Sequence, residues 1–115
     1  MGLMRFFEGN GCGSNENGTC SDKPGQRINF KEATGFANDH ARSVRFLNVR
    51  KGAVIRVYDN PDGETDDDWT EIVVLAEVAE KCLPTFEESR TDNVLRVTHH
   101  GNKGLDGKVS RVEVD

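Results

Sequence analysis

A five-residue pattern occurs twice in this chain, and that duplication limits the fold more than any single residue does. Met4-Arg5-Phe6-Phe7-Glu8 and Ile55-Arg56-Val57-Tyr58-Asp59 both run apolar, arginine, apolar, aromatic, acid, and each leads into a glycine-containing turn (Gly9 to Gly13; Asn60 to Gly63). Apolar residues at alternate positions have the period of a half-buried strand, not of a helix. Each half also ends alike, with a polar loop running into a strand, over 38–46 and over 106–114. The register between these endings is forced, because a slip of one residue would turn every apolar side chain to the wrong face. Val44 and Phe46 therefore correspond to Val112 and Val114. Counting back, Asn38 corresponds to Asp106, Asp39 to Gly107 and Arg42 to Ser110.

Short β-branched and aromatic runs predict strands near 3–8, 26–30, 43–49, 53–58, 69–76, 94–99 and 109–114. Arg50-Lys51-Gly52 reads as a tight hairpin connection, and Asn60-Pro61-Asp62-Gly63 as a turn. The stretch 77–90 has some helical character, which Pro84 limits to a turn or two. Trp69 is expected to be buried, because it opens an apolar run through Leu75. Many short strands without intervening helices make the chain all-β, a sandwich or barrel. The expected fold is a two-sheet β-sandwich of two Greek-key motifs, one domain over 1–115, with a first key of about 1–50 and a second of about 53–115. The second is longer, mostly through 77–92.

Charge and cysteine usage narrow the function. The net charge is −5, with acids gathered at 59–71 and 77–92, which disfavours nucleic acid and favours cations. No apolar stretch approaches the roughly 20 residues needed to span a bilayer, so no membrane association is expected. Met1 to Glu8 lacks an apolar core of signal-peptide length, so the protein stays inside or has lost a processed signal, and the compartment is undetermined. Of the three cysteines, Cys12 and Cys20 could close a short disulfide and leave Cys82 free, or all three could be thiols; their spacing is not that of a zinc site. Asn17-Gly18-Thr19 matches a glycosylation sequon.

The duplicated elements resemble the βγ-crystallin superfamily in its microbial, calcium-binding form, with partly degenerate motifs. Phe7-Glu8 with Gly13, and Tyr58-Asp59 with Gly63, are similar to that family's aromatic-acid pair and following glycine. Asn38 to Ser43 resembles its loop motif, [N/D]-[N/D]-x-x-[S/T]-S, at positions one, two and six, with Arg42 at the fifth; Asp106 to Arg111 resembles it at positions one and five. The resemblance implies a monomeric two-sheet sandwich whose loops share calcium. The ligands it implies are drawn from Glu8, Asn38, Asp39, Asp59, Asp106 and Ser110, with carbonyls contributed near the acids that end the first strands. Because the loops exchange ligands, Asp39 and Ser110 would serve one ion. The other site would combine Gly107, which has no side chain, with Arg42, a fixed cation.

Calcium requires six to eight oxygens, which Asn- and Asp-rich bent loops supply from side chains and carbonyls. A guanidinium about 4 Å from a divalent ion costs several kcal/mol even at an effective dielectric near 20, so one site is expected to survive. A metal-free domain in which Arg42 takes the ion's place is the competing expectation. Asp59 to Asp68 does not fit an EF-hand, since aligning Gly63 puts Tyr58 and Trp69 at ligand positions. No catalytic motif appears, and the adjacent His99 and His100 of a strand point to opposite faces, so no enzyme is expected. An alternative of another class is a secreted crystallin-like binding module of the protease-inhibitor or toxin type, which a Cys12–Cys20 bond would favour.

Overall fold

A computed structural model describes residues 2–105 and 107–115. Among the described residues, ten strands form two antiparallel sheets packed face to face, an all-β sandwich. They are β1 (Leu3–Phe7), β2 (Glu16–Ser21), β3 (Gln26–Asn29), β4 (Ser43–Val49), β5 (Val54–Tyr58), β6 (Trp69–Val74), β7 (Val78–Leu83), β8 (Arg90–Thr91), β9 (Leu95–His100) and β10 (Arg111–Val114). One sheet has the order β2-β1-β4-β7 and the other β3-β10-β5-β6-β9-β8. The first half thus sends its third strand, β3, to the six-stranded sheet, while β7 from the second half completes the four-stranded one. Among the described residues the helical content is one 3-10 turn, Asn10–Cys12, and no helix is long and apolar enough to cross a membrane.

The forced register holds. Met4 pairs with Phe46 and Phe6 with Val44 across β1 and β4, while Ile55 pairs with Val114 and Val57 with Val112 across β5 and β10. All eight side chains are fully buried in one core that Ile72, Val74, Phe30 and Phe86 extend. Phe6 packs edge-on against Phe30 at 5.9 Å between ring centroids. Such offset ring pairs contribute beyond the area they bury.

Four expectations are corrected. Arg50-Lys51-Gly52 is no hairpin, because β4 and β5 lie in different sheets and the turn carries the chain from one to the other. The 77–90 stretch is not helical but contains β7, paired with β4 from Val78 to Leu83. Trp69 is only half-buried: Thr70, Ile72 and Val74 of β6 face the core, so Trp69 shares the outer face with Glu71 and Val73. It lies between Tyr58 and His100, at 5.7 and 4.1 Å between ring centroids. Finally, the disulfide joins Cys12 to Cys82, not to Cys20.

Cys20 points into the core from β2, and burial pushes its thiol up to about 12. Since the thiolate is the reactive form, it should be inert in the native state. Titration with a thiol reagent should find no reactive group in folded, non-reduced protein and one after denaturation without reductant. Two or three reactive thiols after denaturation would contradict the Cys12–Cys82 bond.

Candidate metal site at the interlocked loops

The loops before β4 and β10 grip each other through equivalent hydrogen bonds. The Asp39 amide donates to the Val109 carbonyl at 3.1 Å, and its counterpart, the Gly107 amide, donates to the Ala41 carbonyl at 3.3 Å. The Arg42 amide donates to the Phe7 carbonyl at 2.8 Å, and the Ser110 amide to the Tyr58 carbonyl at 2.8 Å. Asp39 and Gly107 also share a left-handed backbone, at φ 63° and 71°. Glycine adopts that conformation freely, and Asp is among the few other residues that tolerate it. The correspondence read in the sequence is therefore matched at these two pairs of backbone hydrogen bonds, and the side chains at the paired positions differ.

In one crossing, the Ser110 hydroxyl donates to Asp39 Oδ1 at 3.1 Å, across 71 residues of chain. Ser110 is buried and Asp39 exposed, so the pair forms the floor and rim of a polar notch. Asp59, half-buried at the end of β5, belongs to the same neighbourhood. Its carboxyl is held above the usual carboxylate range by burial, then by the charges of Asp67, Asp39 and Asp68, with Lys108 opposing them. Beside Asp39, Asn38 Oδ1 is buried without a hydrogen-bond partner among the described residues. Buried polar atoms are rarely left so.

The other crossing is built from different chemistry. Arg42 Nη1 donates to the Glu8 carbonyl at 2.9 Å. A Cβ added to Gly107 would lie 2.9 Å from Arg42 Nη2, so the guanidinium fills the space that a side chain there would need. Ser43 beside it is fully buried, accepts from the Cys12 amide at 2.9 Å and donates to the Gly9 carbonyl, pinning the turn after β1. Arg111, which corresponds to Ser43, reaches the turn after β5 instead, donating to the Pro61 carbonyl at 3.2 Å.

Of the expected ligands, Asp39, Ser110 and Asp59 therefore come together with Asn38 alongside, while Glu8 lies in the Arg42 crossing. Asp106 lies outside the described residues. No three His, Cys, Asp or Glu side chains converge as a metal centre among the described residues. A cation in the first notch would depend on the Asp39 carboxylate, the Ser110 hydroxyl and loop carbonyls, which is chemistry that calcium accepts.

The charge on Asp59 makes a prediction. A carboxyl whose folded pKa is raised supports the fold fully at pH below its unfolded value, and that support is lost as pH rises through its folded value. Without calcium, Asp59→Asn should consequently melt above wild type near neutral pH, and the difference should vanish toward pH 3. Thermal melts in chelator across that range test this, and equal melting temperatures at pH 7 would refute it.

Sequence reasoning missed a second polar cluster. Asp68, 2% exposed, accepts from the Lys103 and Gly104 amides and faces His99 Nε2 at 3.2 Å. His99 Nδ1 lies 2.8 Å from the hydroxyl of buried Thr70, which donates to the Phe86 carbonyl at 2.6 Å. Thr, His and Asp in a row resemble a nucleophilic relay, but the threonine is sealed in the core with its proton committed to a carbonyl, so the row braces the turn after β9. The sequon is also closed: Asn17 is 2% exposed, its side-chain oxygen accepts from the Ala37 amide at 2.6 Å and its nitrogen donates to the Ala37 carbonyl at 3.0 Å.

Compared with family models, with curated proteins and with solved structures, the chain matches none.

Proposed function

We propose that this is a non-enzymatic, calcium-binding protein of βγ-crystallin type, with each half forming a Greek key and one calcium ion stabilising the fold. The observation that carries the reading is the Ser110–Asp39 contact across the interlocked loops. It joins the hydroxyl of one loop motif to the carboxylate of the other, next to a carboxyl that its surroundings already disfavour as an anion. The exchange of β3 and β7 between sheets supports the Greek-key assignment, because each half then sends one strand to the sheet that holds most of the other half. Asp39, Ser110, Asp59 and Asn38 would hold the ion.

The affinity expected is modest. One close carboxylate and a neutral hydroxyl give little charge, which puts the site toward the weak range of roughly 10⁻⁴–10⁻³ M that extracellular calcium modules occupy. The Cys12–Cys82 bond agrees with that range, since disulfides persist in oxidising compartments. Calorimetric titration of oxidised protein with calcium chloride should show one ion per chain, with magnesium competing poorly. Two equal sites would overturn the stoichiometry, and no heat at millimolar calcium would overturn the reading.

A further inference from the structure

We infer that Arg42 is a positioning residue for the calcium notch on the opposite crossing: its guanidinium assembles one loop pair without metal and so presets Ser110 for the ion. The inference rests on the calcium reading for its ligand, but its geometry stands apart from it. Arg42 belongs to the loop before β4, yet its guanidinium spans two other segments, bonding the Glu8 carbonyl and packing at Gly107. Gly107 is three residues before Ser110, in the loop that presents the hydroxyl. The backbone on either side of Arg42 is fixed as well. Ala41 accepts from the Gly107 amide at 3.3 Å, and Ser43 is pinned to the Cys12 amide at 2.9 Å. The guanidinium therefore sits where three chain segments meet, packed against the Gly107 turn and bonded to the Glu8 carbonyl just after β1. A planar cation with several fixed donors suits such a junction, and a lysine would reproduce the charge but not the fork.

Charge and position predict opposite results, which makes the idea decidable. If Arg42 acted only as a nearby positive charge, removing it would tighten calcium binding. If it positions the loop, removing it weakens binding, because Ser110 must then be ordered at the moment the ion arrives. Losing a residue that supports metal ligands costs about 10–100-fold in affinity.

The test is calorimetric titration of wild type, Arg42→Ala and Arg42→Lys with calcium chloride, paired with melting of each in chelator. The expected result is calcium affinity about tenfold weaker in Arg42→Ala, partly recovered in Arg42→Lys, with a lower melting temperature of Arg42→Ala in chelator. Unchanged or tighter calcium binding by Arg42→Ala overturns the proposal. So does a melting temperature in chelator that does not move. If wild type itself binds no calcium, the calcium reading fails, and the melts in chelator still decide whether Arg42 assembles the loops. Should Arg42→Ala fail to fold, Arg42→Ser combined with Gly107→Asp supplies the decision. Asp tolerates that backbone, as Asp39 does at φ 63°. The pair should then need calcium to reach wild-type melting, and a double variant that melts like wild type in chelator overturns the proposal.

Discussion

Replacing Cys12 and Cys82 together with serine should lower the unfolding free energy by about 4 kcal/mol, the closure entropy of a loop spanning 70 residues. A domain of this size holds roughly 5–15 kcal/mol in all, so the change would be visible at once in a urea transition. The bond joins the 3-10 turn after β1 to the edge strand β7, and without it the turn keeps the bond from the Ser43 hydroxyl to the Gly9 carbonyl and two more. The Gly11 amide still donates to the Pro84 carbonyl at 3.0 Å, and the Cys12 amide to Ser43 at 2.9 Å. Urea titrations of the oxidised wild type and the double variant, both in chelator, measure the difference. Reducing the wild type should reproduce most of it. A loss below about 1 kcal/mol would mean that the turn stays docked through its backbone bonds alone, since each is worth only about that much.

The second large effect expected is from calcium itself. An ion that binds the native state and not the unfolded chain adds roughly 2.7 kcal/mol at a concentration of 100 times its dissociation constant. Asp39→Ala should abolish nearly all of that gain, because it removes the carboxylate that Ser110 already touches. It should also lower the melting temperature in chelator, since alanine tolerates the left-handed backbone at φ 63° less well than Asp and the buried Ser110 hydroxyl loses that acceptor, so the calcium-induced shift is the readout. The comparison is therefore between melting temperatures with and without calcium for each protein. An Asp39→Ala variant stabilised by calcium as much as wild type would move the site elsewhere.

The strands legible in the sequence are those that bury alternate side chains. β1, β4, β5 and β10 carry the duplicated apolar pattern, and their register followed from which face must be buried. Three strands were missed altogether: β2 and β7, the two edges of the four-stranded sheet, and the two-residue β8, an edge of the six-stranded one. Edge strands have one neighbour and more solvent, so Glu16-Asn17-Gly18-Thr19-Cys20-Ser21 needs little apolar content, and β7 tolerates Glu80 and Lys81 in its middle. Trp69 was misread by size: its parity with Glu71 and Val73 placed it outside, and the apolar run around it hid that parity. The disulfide partner was not legible, because sequence spacing says nothing of which strand edges meet.

For the site, register fixed only which loop positions correspond, and the ligand exchange implied by the resemblance is what paired Asp39 with Ser110. The grip of Arg42 on the Glu8 carbonyl needs a side chain to reach across elements, which counting does not supply. The same is true of the Asp68, His99 and Thr70 cluster, whose members lie up to 31 residues apart and meet only because β6 pairs with β9.

The exchange of single strands between sheets also governs when the chain can fold during its own synthesis. β3 finds its partner only in β10, and β4 lacks one neighbour until β7 arrives. A ribosome that has released the first half has released a sheet with an open edge and a stranded third strand. Neither half can finish before the other emerges. A nick in the turn at Arg50–Ala53 should accordingly leave two fragments that fold only on each other, each serving as template for the strand it lacks.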